Sequence, residues 1–305
     1  MCFRKHRDPP CGNRPDHRPK ATSVPGLSDN KLRSCCDSGL RVFDLRAYLF
    51  LYCSFLGVEM SSMQLRTLTF AVSMVLAGAA VAQEASGRTR FILSASWQPA
   101  FCQTNQKKAE CASQTGERAD ATNFSLHGLW PMRQDYCGVS AEQKAADKDG
   151  KWDTLPAVTL SAETQAALAK AMPGTQSGLE RHEWVKHGTC TKMSAEDYFG
   201  VGVHLVGALN TSAVRDLFAA NIGKPVKAEA IKAAFDKSFG PGAGERVKMS
   251  CRRAGNVKMI SGLTIGLSEA AGAASAKSTG LGDLIQGAGK TTFGCDEGVV
   301  DAAGF

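Results

Sequence analysis

Six cysteines in the last two thirds of the chain are the feature that most limits how this sequence can fold. They all follow an apolar segment, and they are Cys102, Cys111, Cys137, Cys190, Cys251 and Cys295. An even number of cysteines in an exported chain indicates three disulfide bridges, although fifteen pairings are possible. Zinc binding is the alternative, but no two of these six have the C-x-x-C spacing of a zinc site. We therefore expect a disulfide-bonded domain.

The apolar segment before these cysteines is best interpreted as an export signal. Residues 63–83, MQLRTLTFAVSMVLAGAAVAQ, combine a basic residue, an apolar run and a small-x-small sequence at 80–82, as a cleaved signal peptide does. A membrane anchor needs roughly 18 apolar residues, whereas residues 67–82 supply sixteen, with Thr69 and Ser73 among them. We predict a signal peptide at 63–82 and a mature protein at 83–305, either periplasmic or secreted.

Residues 1–62 lie in front of that signal and are rich in Arg, Pro and Cys, without a sustained hydrophobic period. Our hypothesis is that translation starts at Met60 or Met63, so that this segment is either not made or disordered. N-terminal sequencing of the natural product tests the hypothesis, because a mature protein that begins near Met1 would contradict it.

The net charge of the mature region does not by itself indicate a nucleic-acid partner. From residue 83 onward, 25 Lys and Arg stand against 23 Asp and Glu, a net charge of about +2. Such a weak balance gives little long-range attraction for a polyanion. Any binding of RNA must therefore come from a local cluster of cations.

Hydrophobic periodicity predicts strands at both ends of the mature region. Residues 90–97 alternate so that Phe91, Leu93, Ala95 and Trp97 share one side. Residues 124–127 would bury Phe124 and Leu126 and turn Ser125 and His127 to the other face. We expect Gly128 to end regular pairing and Pro131 to confirm the break. Further strands are expected at 246–251 and 257–267.

Four helices are predicted between these strands, and a loop after them. The helical segments are 161–172, 194–210, 212–222 and 228–239, with Ser161 and Ser194 as N-terminal caps. Residues 268–292 are rich in Gly, Ala and Ser, and we interpret them as a long surface loop.

Three of the four histidines after residue 83 stand in two short motifs. FSLHGLWP, residues 124–131, contains His127, and HEWVKHGTC, residues 182–190, contains His182 and His187. The fourth, His204, lies on an apolar helix, where a structural histidine is the better interpretation. Histidine suits proton transfer because its pKa lies near neutral pH.

The second motif, taken as a helix, places its ionisable side chains on one face and its two apolar side chains on the other. The ionisable residues are His182, Glu183, Lys186 and His187; the apolar ones are Trp184 and Val185. An ordinary solvated face with i,i+4 pairing is the alternative. A zinc-protease helix needs histidines at i and i+4, whereas these two are five residues apart.

Both motifs match the active-site motifs of the ribonuclease T2 family, and SWQPAFC at 96–102 precedes them as in bacterial members. The sequence resembles this family from Arg90 to about Cys295, weakly after Cys251. The resemblance implies an α+β domain with a central, mainly antiparallel β-sheet and packed helices. It also implies an endoribonuclease that cleaves single-stranded RNA through a 2′,3′-cyclic phosphate to 3′-phosphate ends, with no metal or cofactor.

The family pattern assigns a role to each ionisable residue of the motifs. His187 corresponds to the general base and His127 to the general acid. His182 would hold the phosphate, while Lys186 and Glu183 would stabilise the charge that develops in the transition state. The pattern also pairs Cys190 with a cysteine downstream of the first motif, here Cys137. We pair Cys102 with Cys111 and Cys251 with Cys295.

The sequence departs from the family pattern at a position expected to contact the base. Trp130 is either a core residue or, as in the family, a platform on which the base stacks, and Tyr136 is a second stacking candidate. Many eukaryotic members carry an acidic residue where Met132 stands here. We therefore expect low base specificity. The resemblance implies RNA as the partner. We also expect a monomer and no membrane association after signal removal.

Three other functions compete with this interpretation. A catalytically idle RNA-binding protein would be expected to have lost a motif histidine, and none is lost here. A metal-dependent hydrolase would be inactivated by chelation. An exported toxin would keep the chemistry and differ in biological role alone.

Overall fold

A six-stranded sheet forms the centre of the residues that the structure describes. The structure is a computed structural model that describes residues 87–304, so the predicted signal peptide and the segment before it lie outside the described residues. The strands are β1 (Phe91–Ser96), β2 (Ser125–Pro131), β3 (Pro225–Lys227), β4 (Val247–Ala254), β5 (Val257–Leu267) and β6 (Glu297–Val299). They are arranged in the order β2-β1-β5-β6-β3, and β4 pairs with β5.

Most pairs in this sheet are antiparallel. β1 runs antiparallel to both β2 and β5, and the β4–β5 and β3–β6 pairs are also antiparallel. The β5–β6 pair is parallel. The predicted α+β class with a central, mainly antiparallel sheet is confirmed.

Nine α-helices accompany the sheet between residues 87 and 304. They are α1 (Gln98–Cys102), α2 (Ala109–Ala112), α3 (Ala141–Lys148), α4 (Ala162–Ala171), α5 (Leu179–Lys186), α6 (Ala195–Asn210), α7 (Ala213–Ala220), α8 (Ala228–Phe239) and α9 (Leu281–Gln286). Ser161 and Ser194 cap α4 and α6 through their side chains, as predicted. Among the described residues, we find no helix whose length and hydropathy would let it cross a membrane.

The side of β1 that the sequence predicted to be apolar lies in the core. Phe91, Leu93, Ala95 and Trp97 are all buried. The Trp97 ring lies 5.4 Å from that of Phe124 and its indole N–H donates to the Asp301 carbonyl at 2.8 Å. Truncating a buried tryptophan of this kind costs about 3–5 kcal/mol of stability.

The prediction that residues 268–292 form a long surface loop is wrong. This segment contains two short 3₁₀ helices, Glu269–Gly272 and Ala274–Ser278, followed by α9. Ala271, Leu281 and Ile285 are buried in it. Small residues permit the close packing, because a Cβ on Gly272 would collide with the Phe91 ring. Composition therefore suggested a loop where the chain makes compact helical turns.

The prediction that Gly128 ends regular pairing is also wrong. β2 continues through Gly128 to Pro131, which pairs with Phe91. The chain stays in the sheet because the irregularity is absorbed one residue earlier. Ser94 pairs with Gly128 and Ala95 pairs with Leu126, so a bulge lies at His127.

Candidate active site

The bulge in β2 gives His127 its orientation. A bulged residue has no partner on the adjacent strand, so its side chain can be turned away from the regular alternation. Phe124 and Leu126 are buried as predicted, and Ser125, predicted to face the other way, is buried too. The His127 side chain remains 37% exposed, and its Nδ1 lies 3.4 Å from the Ser96 hydroxyl.

Helix α5 and the residue after it carry the second motif. The helix begins after Gly178, whose φ of 76° is left-handed and favours glycine. It ends at Lys186, and His187 forms the C-terminal cap. His182, Glu183, Lys186 and His187 are therefore brought close together although the motif is not helical throughout.

Glu183 faces His182, as the helical pattern predicted, and it is buried there. Its side chain is fully buried, at 0% exposure. The indole N–H of Trp130 donates to its Oε2 at 2.7 Å. A Cβ on Gly128 would collide with this carboxyl group, so the glycine permits the contact. Helical periodicity gave the direction of Glu183 but could not show that Trp130 covers it.

The other carboxyl oxygen of Glu183 faces two imidazoles. Oε1 lies 3.5 Å from Nε2 of His127 and 3.7 Å from Nε2 of His182. Burial raises the pKa of Glu183 to about 8, against the opposing effects of the Trp130 hydrogen bond and the Lys186 charge. The carboxyl group is therefore mostly protonated at neutral pH, and it can donate a hydrogen bond.

His127 and His187 lie on the two motifs and contact the same Trp130 ring. The His187 ring stacks on the indole with 5.4 Å between centroids, and the His127 ring meets it edge-on at 5.6 Å. Partial burial, with the desolvation that it brings, lowers the pKa of His127 to about 4 and that of His187 to about 3, and repulsion from Lys186 contributes to both shifts. Both imidazoles are neutral at pH 7 before a phosphate approaches.

Trp130 and Tyr136, the predicted base-stacking residues, are both held by protein contacts. Trp130 bonds Glu183 through its N–H and stacks on His187. The Tyr136 backbone N–H donates to the Lys186 carbonyl at 2.8 Å, and its φ of 55° is left-handed. Base stacking on either ring stays a prediction.

Two residues of the site were missed in the sequence. Asp147, in α3, is buried and lies 2.7 Å from Nδ1 of His182. The Trp152 ring stacks on the imidazole of His182, with 4.6 Å between the ring centroids. Ser140 with Gln143 forms a capping box that could have predicted α3. Nothing in the sequence distinguishes Asp147 from the exposed acidic residues around it.

Within residues 87–304 the structure contains three disulfides, and they are the pairs that we predicted: Cys102–Cys111, Cys137–Cys190 and Cys251–Cys295. The Cys137–Cys190 bridge connects the loop after β2 to the turn after α5. It therefore ties together the two segments that supply the histidines.

A cavity of about 200 Å³ opens beside His127. Ser96, Leu126, Trp152 and Leu179 are among its lining residues. Between residues 87 and 304, no group of three or more His, Cys, Asp and Glu side chains has the geometry of a metal site.

Comparison with known proteins identifies the family of the chain. The model of the Ribonuclease T2 family matches residues 89–276. The chain belongs to the ribonuclease T2 family. This protein is thus a T2-type endoribonuclease that acts on RNA, and the resemblance to this family that the two motifs indicated is confirmed.

Its curated relatives include bacterial and plant proteins. Ribonuclease I of Escherichia coli strain K12 is 31% identical over 186 residues, which is 53% of this chain and 69% of that protein. Ribonuclease 3 of Arabidopsis thaliana is 29% identical over 113 residues, which is 36% of this chain and 47% of the relative. The chain thus spans less than half the length of this plant relative.

Among solved structures, a crystal structure of an RNase MC1 variant with 5′-UMP covers 70% of this chain and 98% of its own, with 18% identity and a TM-score of 0.44. The crystal structure of RNase NT with 5′-AMP covers 60% of this chain and 87% of its own, with 20% identity and a TM-score of 0.41.

Proposed function

We propose that this T2 ribonuclease cleaves single-stranded RNA by transphosphorylation, with His187 as general base and His127 as general acid. His187 takes the proton of the 2′-hydroxyl, and the 2′-oxygen attacks the adjacent phosphorus. The bond to the 5′-oxygen breaks as His127 protonates that oxygen. The products are a 2′,3′-cyclic phosphate and a 5′-hydroxyl, and water then opens the cyclic phosphate to a 3′-phosphate.

One observation carries the proposal: imidazoles from two motifs some fifty residues apart contact the same indole of Trp130. A base and an acid on either side of one phosphodiester require this kind of proximity. Within residues 87–304, Nδ1 of His187 and Oε1 of Glu183 are buried without a hydrogen-bond partner. Buried polar atoms of that kind are costly, and phosphate and ribose oxygens would satisfy them.

The remaining groups suit a pentacoordinate phosphate. Lys186 contributes a positive charge, and an uncharged Glu183 can donate a hydrogen bond to a phosphoryl oxygen without repelling it. A carboxylic acid kept neutral by burial serves as a donor in this way in other enzymes. We assign the binding of the phosphate to His182, whose Nε2 faces Glu183.

The residues of the first motif and of the loop after it support low base specificity. Met132 is 38% exposed and has no charged or hydrogen-bonding group with which to select a base. Stacking on aromatic rings tolerates every base, and Trp130 and Tyr136 are the residues that we assign to it.

The decisive experiment incubates the purified protein with a short RNA in the presence of EDTA, beside a DNA of the same sequence. We expect RNA cleavage to cyclic-phosphate and then 3′-phosphate ends, with no cleavage of DNA because it lacks the 2′-hydroxyl. Loss of activity in EDTA would favour a metal-dependent hydrolase, whereas RNA binding without cleavage would favour an idle binding protein. Comparing cleavage after each of the four bases measures specificity.

We also propose that the protein is exported to a periplasm or secreted and that it acts as a monomer. The three disulfides support export, because such bridges persist in oxidising compartments. Cell fractionation with N-terminal sequencing tests the signal peptide, and a cytosolic protein that retains residues 1–62 would contradict it. Light scattering of the purified protein tests the monomer.

A further inference from the structure

Asp147 is a buried carboxylate that belongs to neither histidine motif. It lies near the end of α3, and its side chain is 1% exposed, whereas Lys148 and Asp149 beside it are exposed. Burying a charged group is costly unless the group is paired and hydrogen-bonded. The partners of Asp147 therefore indicate its role.

Both oxygens of this carboxylate are bonded to side chains at the site. Oδ1 lies 2.7 Å from Nδ1 of His182, and Oδ2 accepts the hydroxyl of Tyr136 at 2.7 Å. The backbone carbonyl of Asp147 accepts the Trp152 indole N–H at 3.3 Å. Trp152 in turn stacks on the His182 ring at an interplanar angle of 25°. The imidazole is thus held at its edge by the carboxylate and on its face by the indole.

The carboxylate decides which nitrogen of His182 carries a proton. An ionised carboxylate can only accept hydrogen bonds, so Nδ1 must be the donor. Nε2 is then the nitrogen that faces Glu183. Carboxylate–histidine pairs in other enzymes fix the tautomer and stabilise the imidazolium in this manner.

We propose that Asp147 is a positioning residue that holds the Nδ1–H of His182 and so directs its Nε2 at the substrate phosphate, where the imidazole takes up a proton as the phosphate binds. Through Tyr136, the same carboxylate joins this phosphate contact to the loop that follows β2. The inference rests on the proposed function, because it takes His182 as the phosphate-binding group.

The charges around His182 support this role. The groups that face it are Asp147, Glu183, Lys186, His127 and His187. Burial lowers the pKa of His182, the hydrogen bond and charge of Asp147 oppose that shift, and Lys186 adds to it. Asp147 therefore opposes the effect of burial on His182. Without that carboxylate, the pKa of His182 would fall further, and the imidazole would take up a proton less readily when the phosphate binds.

Asp147→Asn is the first test, because it keeps the size and an accepting oxygen but removes the charge. We expect KM for a defined RNA oligonucleotide to rise by about tenfold or more at neutral pH, with a smaller change in kcat. The KM defect should shrink as the pH is lowered and His182 becomes protonated. Asp149→Asn is the matched control, since this exposed carboxylate pairs with Lys151, and its KM should equal that of the wild type.

A spectroscopic measurement tests the contact independently of turnover. In ¹⁵N-labelled wild-type protein, Nδ1 of His182 should carry a proton at neutral pH, and its resonance should move in Asp147→Asn. Tyr136→Phe keeps the ring and the carboxylate but removes one hydrogen bond, so a smaller rise in KM is expected. If Asp147→Asn does not fold, the protonation of Nδ1 in the wild type and the KM of Tyr136→Phe decide the question.

The outcomes separate this inference from the proposed function. A wild type that cleaves RNA, together with an Asp147→Asn variant of unchanged KM and pH profile, overturns the positioning role and leaves the function intact. An unprotonated Nδ1 of His182 in the wild type at neutral pH overturns it as well. Failure of the wild type to cleave RNA overturns the function, while the Nδ1 state still tests the contact.

Discussion

The indole N–H of Trp130 donates a 2.7 Å hydrogen bond to the buried carboxyl group of Glu183, and this contact joins the two histidine motifs. One partner belongs to the strand that carries His127 and the other to the helix that carries His182. Trp130 therefore connects the two motifs, and the His187 ring stacks on its indole.

Trp130→Phe should lower the free energy of unfolding by about 1–3 kcal/mol, because it leaves a fully buried carboxyl oxygen without its donor. Denaturant unfolding measures the change. Trp184→Phe is the control, since the Trp184 ring packs on Tyr198 and Phe199. Equal losses in the two variants would show that ring size, and not the hydrogen bond, matters.

His127→Ala and His187→Ala should each lower kcat by about 10²- to 10⁴-fold, because each removes one proton transfer. The double variant should lose much less than the product of the two, since the residues act as a unit. Single-turnover cleavage of a defined RNA measures these rates. His204→Gln is the control: His204 bonds the Thr279 carbonyl, and its replacement should leave kcat unchanged. If His187→Ala retained activity, His187 would not be the general base.

The dependence of kcat/KM on pH should show an acidic optimum. The active free enzyme has a neutral His187, which forms as pH rises through about 3, and a protonated His127, which is lost as pH rises through about 4. The product of these fractions is greatest between the two values. The negative charge of bound RNA raises both pKa values, so the kcat profile should lie at higher pH.

Lys186→Met tests the electrostatic cause of those shifts. Repulsion from the Lys186 ammonium lowers the pKa of both His127 and His187, so its removal should move both limbs of the kcat/KM profile to higher pH while the maximum falls. The exposed Lys170→Met removes the same charge elsewhere and should leave the limbs in place. An unmoved kcat/KM profile in Lys186→Met would show that the Lys186 charge does not cause the pKa shifts of His127 and His187.

Two disulfides that close loops of similar length should differ in their effect on activity. Cys137–Cys190 and Cys251–Cys295 span 53 and 44 residues, so replacing either pair with serine should cost about 4 kcal/mol. Losing the first should also lower kcat at temperatures where the protein stays folded, because it connects the two motif segments. Thermal unfolding and kcat on the same samples separate the effects; equal kcat values would contradict this.

The local structure followed from the sequence to a large extent. Ser161 and Ser194 began helices as predicted because side-chain caps act within a few residues. The alternation in β1 identified a buried face because side chains on a strand repeat every second residue. The two motifs identified the family and the residues that meet at the site.

The errors occurred where distant contacts override local pattern. Residues 268–292 look like a loop, yet Phe91 packs against Gly272 and the segment folds into helical turns. Gly128 looks like a strand end, yet the bulge at His127 lets β2 continue beneath Glu183. Asp147 looks like a surface residue until α3 packs on α5.

The sequence by itself determined which side chains this ribonuclease uses, because residue type fixes the available chemistry and period fixes its local direction. Only the tertiary structure decided their protonation and their partners. Burial is a property of the assembled chain: it leaves Glu183 mostly protonated and His187 neutral at pH 7, and it places the Asp147 carboxylate against His182. No local pattern contains that information, since desolvation and hydrogen bonding depend on residues far apart in the sequence.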